Sequence, residues 1–240
     1  MANPTAAMLV IGDEILSGRT RDANVYHLAG ELTKIGIDLK EVRVVSDDKA
    51  AIITAVTALA NSYDSVITSG GIGPTHDDIT ADCIAAAFGR RINICAEAQE
   101  LLAAHYERQG IKLNAARLRM ARIPEGATLI DNPVSVAPGF SVENVHIMAG
   151  VPAVFQAMVA SLLPRLTSGA PLLTKTWCVY RGEGDIAGPL SALAKTYGDL
   201  NIGSYPFQRD GRYGANIVMR GTNGTQLDAA LASLQELFPE

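Results

Sequence analysis

The segment Thr68–Thr80 has the sequence TSGGIGPTHDDIT and follows the short apolar run Ser65-Val66-Ile67. Glycines that follow a buried strand allow the backbone to approach an anion closely, because they have no Cβ atom. Two adjacent aspartates come next, at the predicted start of a helix whose free N–H groups favour negative charge. The segment therefore combines an anion-binding turn with carboxylates that would repel the anion.

Two common phosphate motifs do not explain this segment. No lysine follows the glycines as in a Walker loop, and Gly71-Ile-Gly73-Pro-Thr-His76 lacks the third glycine of the dinucleotide fingerprint. What remains is a glycine-rich turn that leads into a helix N-terminus. Asp77 and Asp78 can act there as helix caps, which is the usual role of a single aspartate at that position.

The surrounding pattern predicts an α/β fold. Strands predicted at 8–12, 39–46 and 65–68 alternate with helices, which indicates a mostly parallel sheet with helices on both faces, a three-layer α/β/α arrangement. Further helices are predicted at 96–109, 114–121 and 152–163, and further strands at 128–130, 139–142 and 145–148. The prediction assigns 1–166 to this domain.

A second, smaller domain is predicted at 172–240. The segment Pro164–Pro171 is rich in Pro, Gly and Ser and is typical of a linker. Strands at 174–181 and 216–220 and helices at 185–197 and 225–238 predict a small α+β domain.

The composition bounds the functions that this chain can have. Its 240 residues are 48% hydrophobic and 19% charged, and the net charge of −5 disfavours general attraction to nucleic acid or to an anionic membrane. The three cysteines form no C-x-x-C pair, which is typical of buried reduced thiols. The N-terminus has neither a signal peptide pattern nor a membrane span. We expect a soluble cytoplasmic protein.

An acidic pair follows each of the first three predicted strands: Asp13-Glu14, Asp47-Asp48 and Asp77-Asp78. The ends of parallel strands share one edge of a sheet, where ligands bind. Clustered carboxylates repel one another unless a cation holds them, and Mg²⁺ takes one or two carboxylates together with water and substrate phosphate. We predict that Mg²⁺ or a similar divalent cation binds Asp13, Asp48, Asp77 and Asp78, beside phosphate held by the amides of Gly70–Gly73.

The alternative is that these carboxylates are unrelated helix caps, and Asp48 is the strongest candidate for a pure cap. Other polar residues near the predicted edge leave similar alternatives open. Ser17, Thr20 and Asn24 can bond ligand hydroxyls or serve as turn and cap residues, and Arg19 and Arg21 can hold phosphate or lie in solvent. His76 is favoured as structural.

Four motifs in one order carry a resemblance to a known family: IGDEILSG (11–18), TSGGIGPTHDDIT (68–80), MARIPEGATLIDNPVSVAPGF (120–140) and MAGVPAVFQAM (148–158). Together they resemble the molybdopterin-binding (MoaB/Mog-type) domain. The closer likeness is to the branch that forms the N-terminal part of the competence/damage-inducible protein A (CinA) family. The same module resembles the N-terminal half of some eukaryotic FAD synthases. The C-terminal segment is similar to the small KH-like domain of the CinA branch, and we expect no nicotinamide-nucleotide deamidase activity, because the chain ends at Glu240.

The resemblance implies a site for a phosphorylated heterocycle with a divalent metal. Its acidic part falls on Asp13, Glu14, Asp48 and Asp78. Its ligand-binding part falls on Ser17, Asn24, Gly70, Gly71, Gly73, Pro74, Thr75, Thr80, Asn132, Ser135, Pro138, Gly139, Gly150 and Pro152. The chain departs from the branch at Ser135, where glycine is usual, at Val154, where glutamate is usual, and at Met148-Ala149, where Leu-Pro is frequent.

Two activities are implied by this resemblance. One is metal-dependent hydrolysis of ADP-ribose, with Asp13 and Asp78 as metal ligands and Glu14 orienting the attacking water. The other is binding of molybdopterin for adenylylation or metal insertion. Both place a phosphate on the glycine loop and a metal at the reacting phosphorus. A non-catalytic nucleotide- or pterin-binding module is the third possibility.

The resemblance also implies a homo-oligomer, a dimer or trimer, with a small-molecule ligand and no membrane partner. The small domain contains two G-x-x-G strings, at 211–214 and 221–224, of the kind that RNA-binding KH loops use. Ordinary turns explain both strings better, so RNA binding through them is disfavoured.

Overall fold

The computed structural model describes residues 3–209 and 211–239, and the chain divides into two compact units, Met1–Gly169 and Ala170–Glu240. The strands of the first unit are β1 (Thr5–Ile11), β2 (Asp38–Val45), β3 (Ser65–Ser69), β4 (Ile92–Ile94), β5 (Arg122–Pro124), β6 (Thr128–Ile130), β7 (Gly139–Val142) and β8 (Val145–Met148). Its helices are α1 (Asp13–Leu16), α2 (Asn24–Lys34), α3 (Lys49–Ala60), α4 (Thr80–Ala87), α5 (Ala96–Arg108), α6 (Ala115–Leu118) and α7 (Pro152–Leu162). Short 3-10 turns follow α6 at Arg119–Ala121 and α7 at Leu163–Arg165.

The main sheet of the first unit has the strand order β2-β1-β3-β8-β7-β6. The first four strands are parallel, and β7 runs antiparallel to both β8 and β6. The predicted mostly parallel sheet is confirmed. Strands β4 and β5 pair with each other in a separate antiparallel sheet and were not predicted, because their pairing joins segments that are far apart in the sequence.

Strand β1 lies at the centre of the sheet and is buried on both faces. Ala7, Leu9 and Ile11 pack toward α3, α4 and α5, while Ala6, Met8 and Val10 pack toward α2 and α7. A parallel sheet that is covered on both faces requires such a continuous apolar strand. The three-layer α/β/α arrangement is therefore confirmed.

The helix ends of the first unit follow local capping chemistry. Asp22 Oδ1 accepts a hydrogen bond of 2.9 Å from the Val25 N–H, so Asp22 rather than Asn24 caps α2. Asp48 Oδ1 accepts one of 2.9 Å from the Ala51 N–H at the start of α3. These caps satisfy N–H groups that have no partner within the helix.

The second unit contains β9 (Leu173–Val179), α8 (Glu183–Thr196), β10 (Asn201–Arg209), β11 (Arg212–Gly221) and α9 (Gly224–Leu237). Its strands form an antiparallel sheet in the order β10-β11-β9. Ile217 and Met219 on β11 pack with Ile186 of α8 and Leu227 of α9. This arrangement confirms the α+β prediction. The prediction missed β10, where Gly203 and Pro206 interrupt the apolar pattern.

The two G-x-x-G strings lie in turns and at element ends. Gly211 has φ 74° in the turn between β10 and β11, and Gly221 ends β11. Asn223 Oδ1 accepts a hydrogen bond from the Gln226 N–H and caps α9. Across the described residues, no helix is long and apolar enough to cross a membrane.

Candidate functional site

A cavity of about 480 Å³ lies at the carboxyl ends of the parallel strands of the first unit. Segments that follow β1, β2, β3 and β8 line most of it: Ile11, Gly12, Glu14, Thr20, Asp47, Gly70, Gly71, Ile72, Gly73, Asp77, Asp78, Ala149, Gly150, Val151, Pro152 and Val154. Met120, Asn132, Ser135 and Ala137 complete the lining. Its position is where open α/β sheets bind ligands, and its volume suits a molecule of nucleotide size.

The glycine loop after β3 presents its backbone to this cavity. Gly70 and Gly71 have φ values of 112° and 70°, and a methyl group on either would overlap Ile11 O or Thr80 Oγ1. Thr80 fixes the loop, because its Oγ1 donates to Gly70 O at 3.1 Å and its N–H to Gly71 O at 3.0 Å.

Three amides of the glycine loop have no internal acceptor. The Gly70 N–H donates to Met148 O at 3.1 Å, which ties the loop to β8. Among the described residues, the N–H groups of Gly71, Ile72 and Gly73 donate to no protein acceptor. All three residues line the cavity. Unpaired N–H groups of residues that line a cavity can bind an anionic oxygen.

Carboxylates from three strand ends meet near Asp47. The Asp13 N–H donates to Asp47 Oδ2 at 3.0 Å. The pKa of Asp47 is raised, first because the carboxyl is partly buried, and further because Asp13, Glu14 and Asp77 place negative charge beside it; the hydrogen bond from Asp13 opposes these effects. Residues from all three acidic pairs thus form one patch of concentrated negative charge.

The sequence predicted that Asp48 faces the site, but in the structure Asp47 has that position. Asp48 caps α3 and is absent from the cavity lining, whereas its neighbour Asp47 faces the cavity. Consecutive residues ahead of a helix point in different directions, so one member of such a pair can cap the helix while the other faces the cavity. We correct the prediction accordingly.

Asp78 is held in place by residues of its own loop. Its Oδ2 accepts hydrogen bonds from the Thr75 N–H at 2.8 Å and from Thr75 Oγ1 at 2.6 Å. Its backbone carbonyl accepts a bond of 3.2 Å from Arg119 Nη2. Thr75 does not line the cavity, so it positions Asp78 instead of touching a ligand there. Arg119 was not predicted, because 41 residues separate it from Asp78.

The donor set fits a hard divalent cation that shares its coordination with a ligand. Within residues 3–209 and 211–239, no group of three or more His, Cys, Asp or Glu side chains is arranged to hold a metal by itself. Mg²⁺ needs only one or two carboxylates when water and phosphate complete its shell. The oxygen donors at Asp47, Asp77 and Glu14 match that requirement.

Asn24 and Asn132 form hydrogen bonds that hold the loops of the cavity walls in place. Asn24 is 3% exposed, and its Nδ2 donates to Ser69 Oγ and to Gly150 O, both at 2.8 Å. It therefore joins the end of β3 to the loop after β8 and is not among the lining residues. Asn132 Nδ2 donates to Ser135 Oγ and to Ala137 O, both at 2.7 Å, and so shapes the 132–138 loop.

The remaining predicted residues lie at or near the cavity without all lining it. Ser17 is exposed at the end of α1, where its N–H donates to Asp13 O at 2.9 Å. Pro138 lines a smaller adjoining cleft with Gly71 and Arg119, and a methyl on Gly139 would overlap Ile147 O of the neighbouring strand. Asp13, which the sequence predicted as a metal ligand, does not line the cavity, although its neighbour Glu14 does. The other non-lining residues are Thr80, Pro74, Arg19, Arg21 and His76, whose side chain is 99% exposed.

One wall of the cavity has low polarity. Ala137, Val151, Pro152 and Val154 lie there, and Val154 is 7% exposed. Gly150 packs closely against Gly70, since a Cβ on Gly150 would lie 3.3 Å from Gly70 Cα. The cavity lining therefore combines charged and amide groups with apolar side chains.

The fold and this cavity define the first unit as an open-sheet α/β/α domain with a ligand site at its strand ends. Residues 7–168 match the family described as "Probable molybdopterin binding domain", and the chain belongs to that family. Residues 171–240 match the family described as "FAD synthase, middle domain".

Relatives with this similarity extend across several organisms. A protein of Archaeoglobus fulgidus is 34% identical over 199 residues, covering 83% of this chain and 84% of the relative. A "Probable FAD synthase" of Caenorhabditis elegans is 31% identical over 98% of this chain, which spans 50% of that relative. The crystal structure of "the protein CinA with unknown function" from Thermoplasma acidophilum has a TM-score of 0.63 and 32% identity, covering 69% of this chain and 99% of that one. The resemblance to the CinA branch is confirmed.

Proposed function

We propose that the first unit binds a nucleotide pyrophosphate together with a divalent cation and hydrolyses its P–O–P bond, with ADP-ribose as the representative substrate. One observation carries the proposal: the unpaired amides of Gly71–Gly73 line the same cavity as the carboxylates of Glu14, Asp47, Asp77 and Asp78. Amides attract phosphate oxygens and carboxylates repel them, so both are useful in one site only when a cation lies between them.

The ligand would lie along the length of the cavity. The Gly71–Gly73 amides would bind phosphate oxygens, and the wall at Ala137, Val151, Pro152 and Val154 would contact the apolar face of a base or another ring. Asn24 holds that wall against β3 through Gly150.

Hydrolysis adds water across the phosphoanhydride. The oxygen of water bonds to one phosphorus, the bond from that phosphorus to the bridging oxygen breaks, and ADP-ribose yields AMP and ribose 5-phosphate. Glu14 lines the cavity and is the residue that we assign to accept the proton of the attacking water. Asp47 and Asp77, with Asp78 fixed by Thr75, would hold the cation. When bound, the divalent cation would neutralise charge on the phosphates.

The similarity to a probable FAD synthase supports the substrate class. FAD contains a pyrophosphate between two nucleoside-like halves, as ADP-ribose contains one between adenosine and ribose. The second unit matches the middle domain of FAD synthases, and the Caenorhabditis elegans relative carries that name. FAD is therefore the second substrate to test.

The test is chromatographic detection of AMP after incubation with ADP-ribose or FAD and Mg²⁺ or Mn²⁺. Asp47→Asn should lower kcat/KM by about 100-fold or more, because it removes one charge from the cation site. Asp48→Asn is the matched control: it changes the adjacent residue in the same way, but Asp48 caps α3 outside the cavity. Unchanged substrates with every divalent metal would refute the proposal, as would equal losses in the two variants.

A second candidate is binding of molybdopterin, which the family description of residues 7–168 favours. The same amides would bind the terminal phosphate of the pterin and the apolar wall would contact its ring. Detection of molybdopterin in protein purified from its native host would support this candidate. Asp78→Asn would separate catalysis from binding: loss of turnover with retained ligand affinity indicates an enzyme, and absence of turnover in both proteins indicates a binding module.

A further inference from the structure

The second unit has a sheet face that its own helices do not cover. On β11, Ala215, Ile217 and Met219 point toward α8 and α9 and are fully buried. The alternate residues, among them Arg212, Asn216 and Arg220, therefore point to the opposite face, because side chains alternate along a strand. The pairing register places Tyr205, Phe207 and Arg209 of β10 on that same face.

Two aromatic rings of this face lie close to glycines. Phe207 is paired with Gly214, and a Cβ on Gly214 would lie 2.6 Å from Phe207 Cζ. A Cβ on Gly203 would lie 3.2 Å from a ring carbon of Tyr205. Glycine at these two positions leaves room for the rings, because a Cβ atom would overlap or crowd them. Tyr205 remains 49% exposed, and Tyr180, which contacts Phe207 edge-on at 5.5 Å, remains 48% exposed.

Arginines accompany the rings on this face. Arg209 lies over the Phe207 ring at 4.6 Å and Arg212 over the Tyr180 ring at 4.4 Å. Among the described strand positions of this face there are three arginines, with Arg220 at the far end, and no Asp or Glu. None of the three forms an ion pair with a described residue. The local charge is thus opposite to the net charge of −5 of the whole chain.

We propose that this aromatic–arginine face, formed by Tyr180, Tyr205, Phe207, Arg209, Arg212 and Arg220, binds single-stranded nucleic acid. Bases stack on exposed rings without sequence preference, and arginines contact the backbone phosphates. The dimensions favour a strand over a single nucleotide. Arg212 and Arg220 are eight residues apart on one strand, or roughly 27 Å, which spans several nucleotides. Arg212 and Gly214 belong to the 211–214 string, but the proposal rests on the rings and arginines of the sheet face and not on a KH-type loop, and it goes beyond the function proposed for the first unit.

The test is fluorescence anisotropy of the full chain with a labelled thymidylate strand of about twelve nucleotides. Tyr205→Ala should weaken binding by roughly tenfold, because it removes one stacking ring. Tyr213→Ala is the matched control, since Tyr213 lies on β11 between residues of the aromatic–arginine face and points to its other side, and it is 69% exposed. Tyr205→Phe should retain binding, which separates stacking from loss of fold.

Salt dependence provides a second, independent measurement. Arg209→Gln combined with Arg212→Gln should flatten the slope of log affinity against log salt by about 1.4, or about 0.7 for each lost phosphate contact. These residues are exposed at the end of the hairpin, so the double variant should fold.

Several outcomes would overturn the proposal. The proposal fails if the strand causes no anisotropy change at about 50 mM salt, or if Tyr205→Ala and Tyr213→Ala weaken binding equally. It also fails if a duplex binds with the same affinity as the single strand, or if AMP competes as well as an unlabelled strand. If sedimentation shows self-association that Tyr205→Ala abolishes and no strand binds, the face is an interface with a second copy, and the proposal fails.

Discussion

Gly71→Ala tests how the glycine loop is held. Alanine at φ 70° carries a backbone penalty of about 1 kcal/mol. Its methyl group would also overlap Thr80 Oγ1, a fully buried hydroxyl that donates to Gly70 O at 3.1 Å. Relief of that overlap breaks the hydrogen bond or displaces the loop, at a further cost of about 1–3 kcal/mol. We expect the free energy of unfolding to fall by about 2–4 kcal/mol and ligand affinity to fall with it.

Gly110→Ala separates the two contributions. Gly110 has φ 65°, and a Cβ there would have no atom within 4 Å. This variant should therefore lose only about 1 kcal/mol of unfolding free energy, from the backbone alone. Both losses are measured by urea unfolding followed by far-UV circular dichroism.

A double-mutant cycle with Thr80→Ala completes the test. Removal of the hydroxyl should itself be destabilising, but it also removes the overlap, so the double variant should lose about 1–3 kcal/mol less than the sum of the single variants. Additive losses would refute the explanation by contact with Thr80. Equal losses in Gly71→Ala and Gly110→Ala would refute it too.

Three further predictions concern the body of the first unit. Burial, reinforced by Arg165, lowers the pKa of His146 from 6.5 to about 4. The neutral imidazole therefore contributes about 3 kcal/mol to the free energy of unfolding above pH 6.5, and this contribution is lost as the pH falls toward 4. His146→Gln should flatten the pH dependence of urea unfolding in that window. Burial raises the pKa of the Cys83 thiol to about 11, so Cys83→Ser should leave the number of thiols that react rapidly with a disulfide reagent at pH 8 unchanged. Asp82→Asn disrupts the paired hydrogen bonds of 2.6 and 2.8 Å to Arg122 and should lower the urea midpoint by an amount equivalent to about 1 kcal/mol, whereas no change would show that the pair is not stabilising.

The sequence predicted the architecture of the site because parallel strands place their following residues on one edge. The apolar run of β1 and the acidic pairs after three strands were sufficient to place Glu14, Asp77 and Asp78 near the glycine loop. That argument could not decide which member of an acidic pair faces the cavity. Asp47 and Asp48 have the same chemistry, and only the direction of the chain entering α3 decides which one caps the helix.

The roles of Asn24 and Arg119 could not be predicted, because they depend on distant partners. Asn24 contacts Gly150, which is 126 residues away, and its Nδ2 group donates hydrogen bonds within the protein. In the second unit, the sequence of β10 has neither strict alternation nor an uninterrupted apolar run. Its strand is stabilised by pairing with β11 along nine residues, a tertiary effect that local pattern does not contain.

The bonds from Asn24 to Ser69 and Gly150, and from Gly70 to Met148, join the floor of the cavity before any ligand arrives. Such a preorganised pocket loses little conformational entropy on binding, so association should be governed by encounter and dehydration. A new ligand specificity should then evolve most easily through substitutions in the apolar wall, because those side chains can change without breaking the hydrogen bonds of the cavity floor.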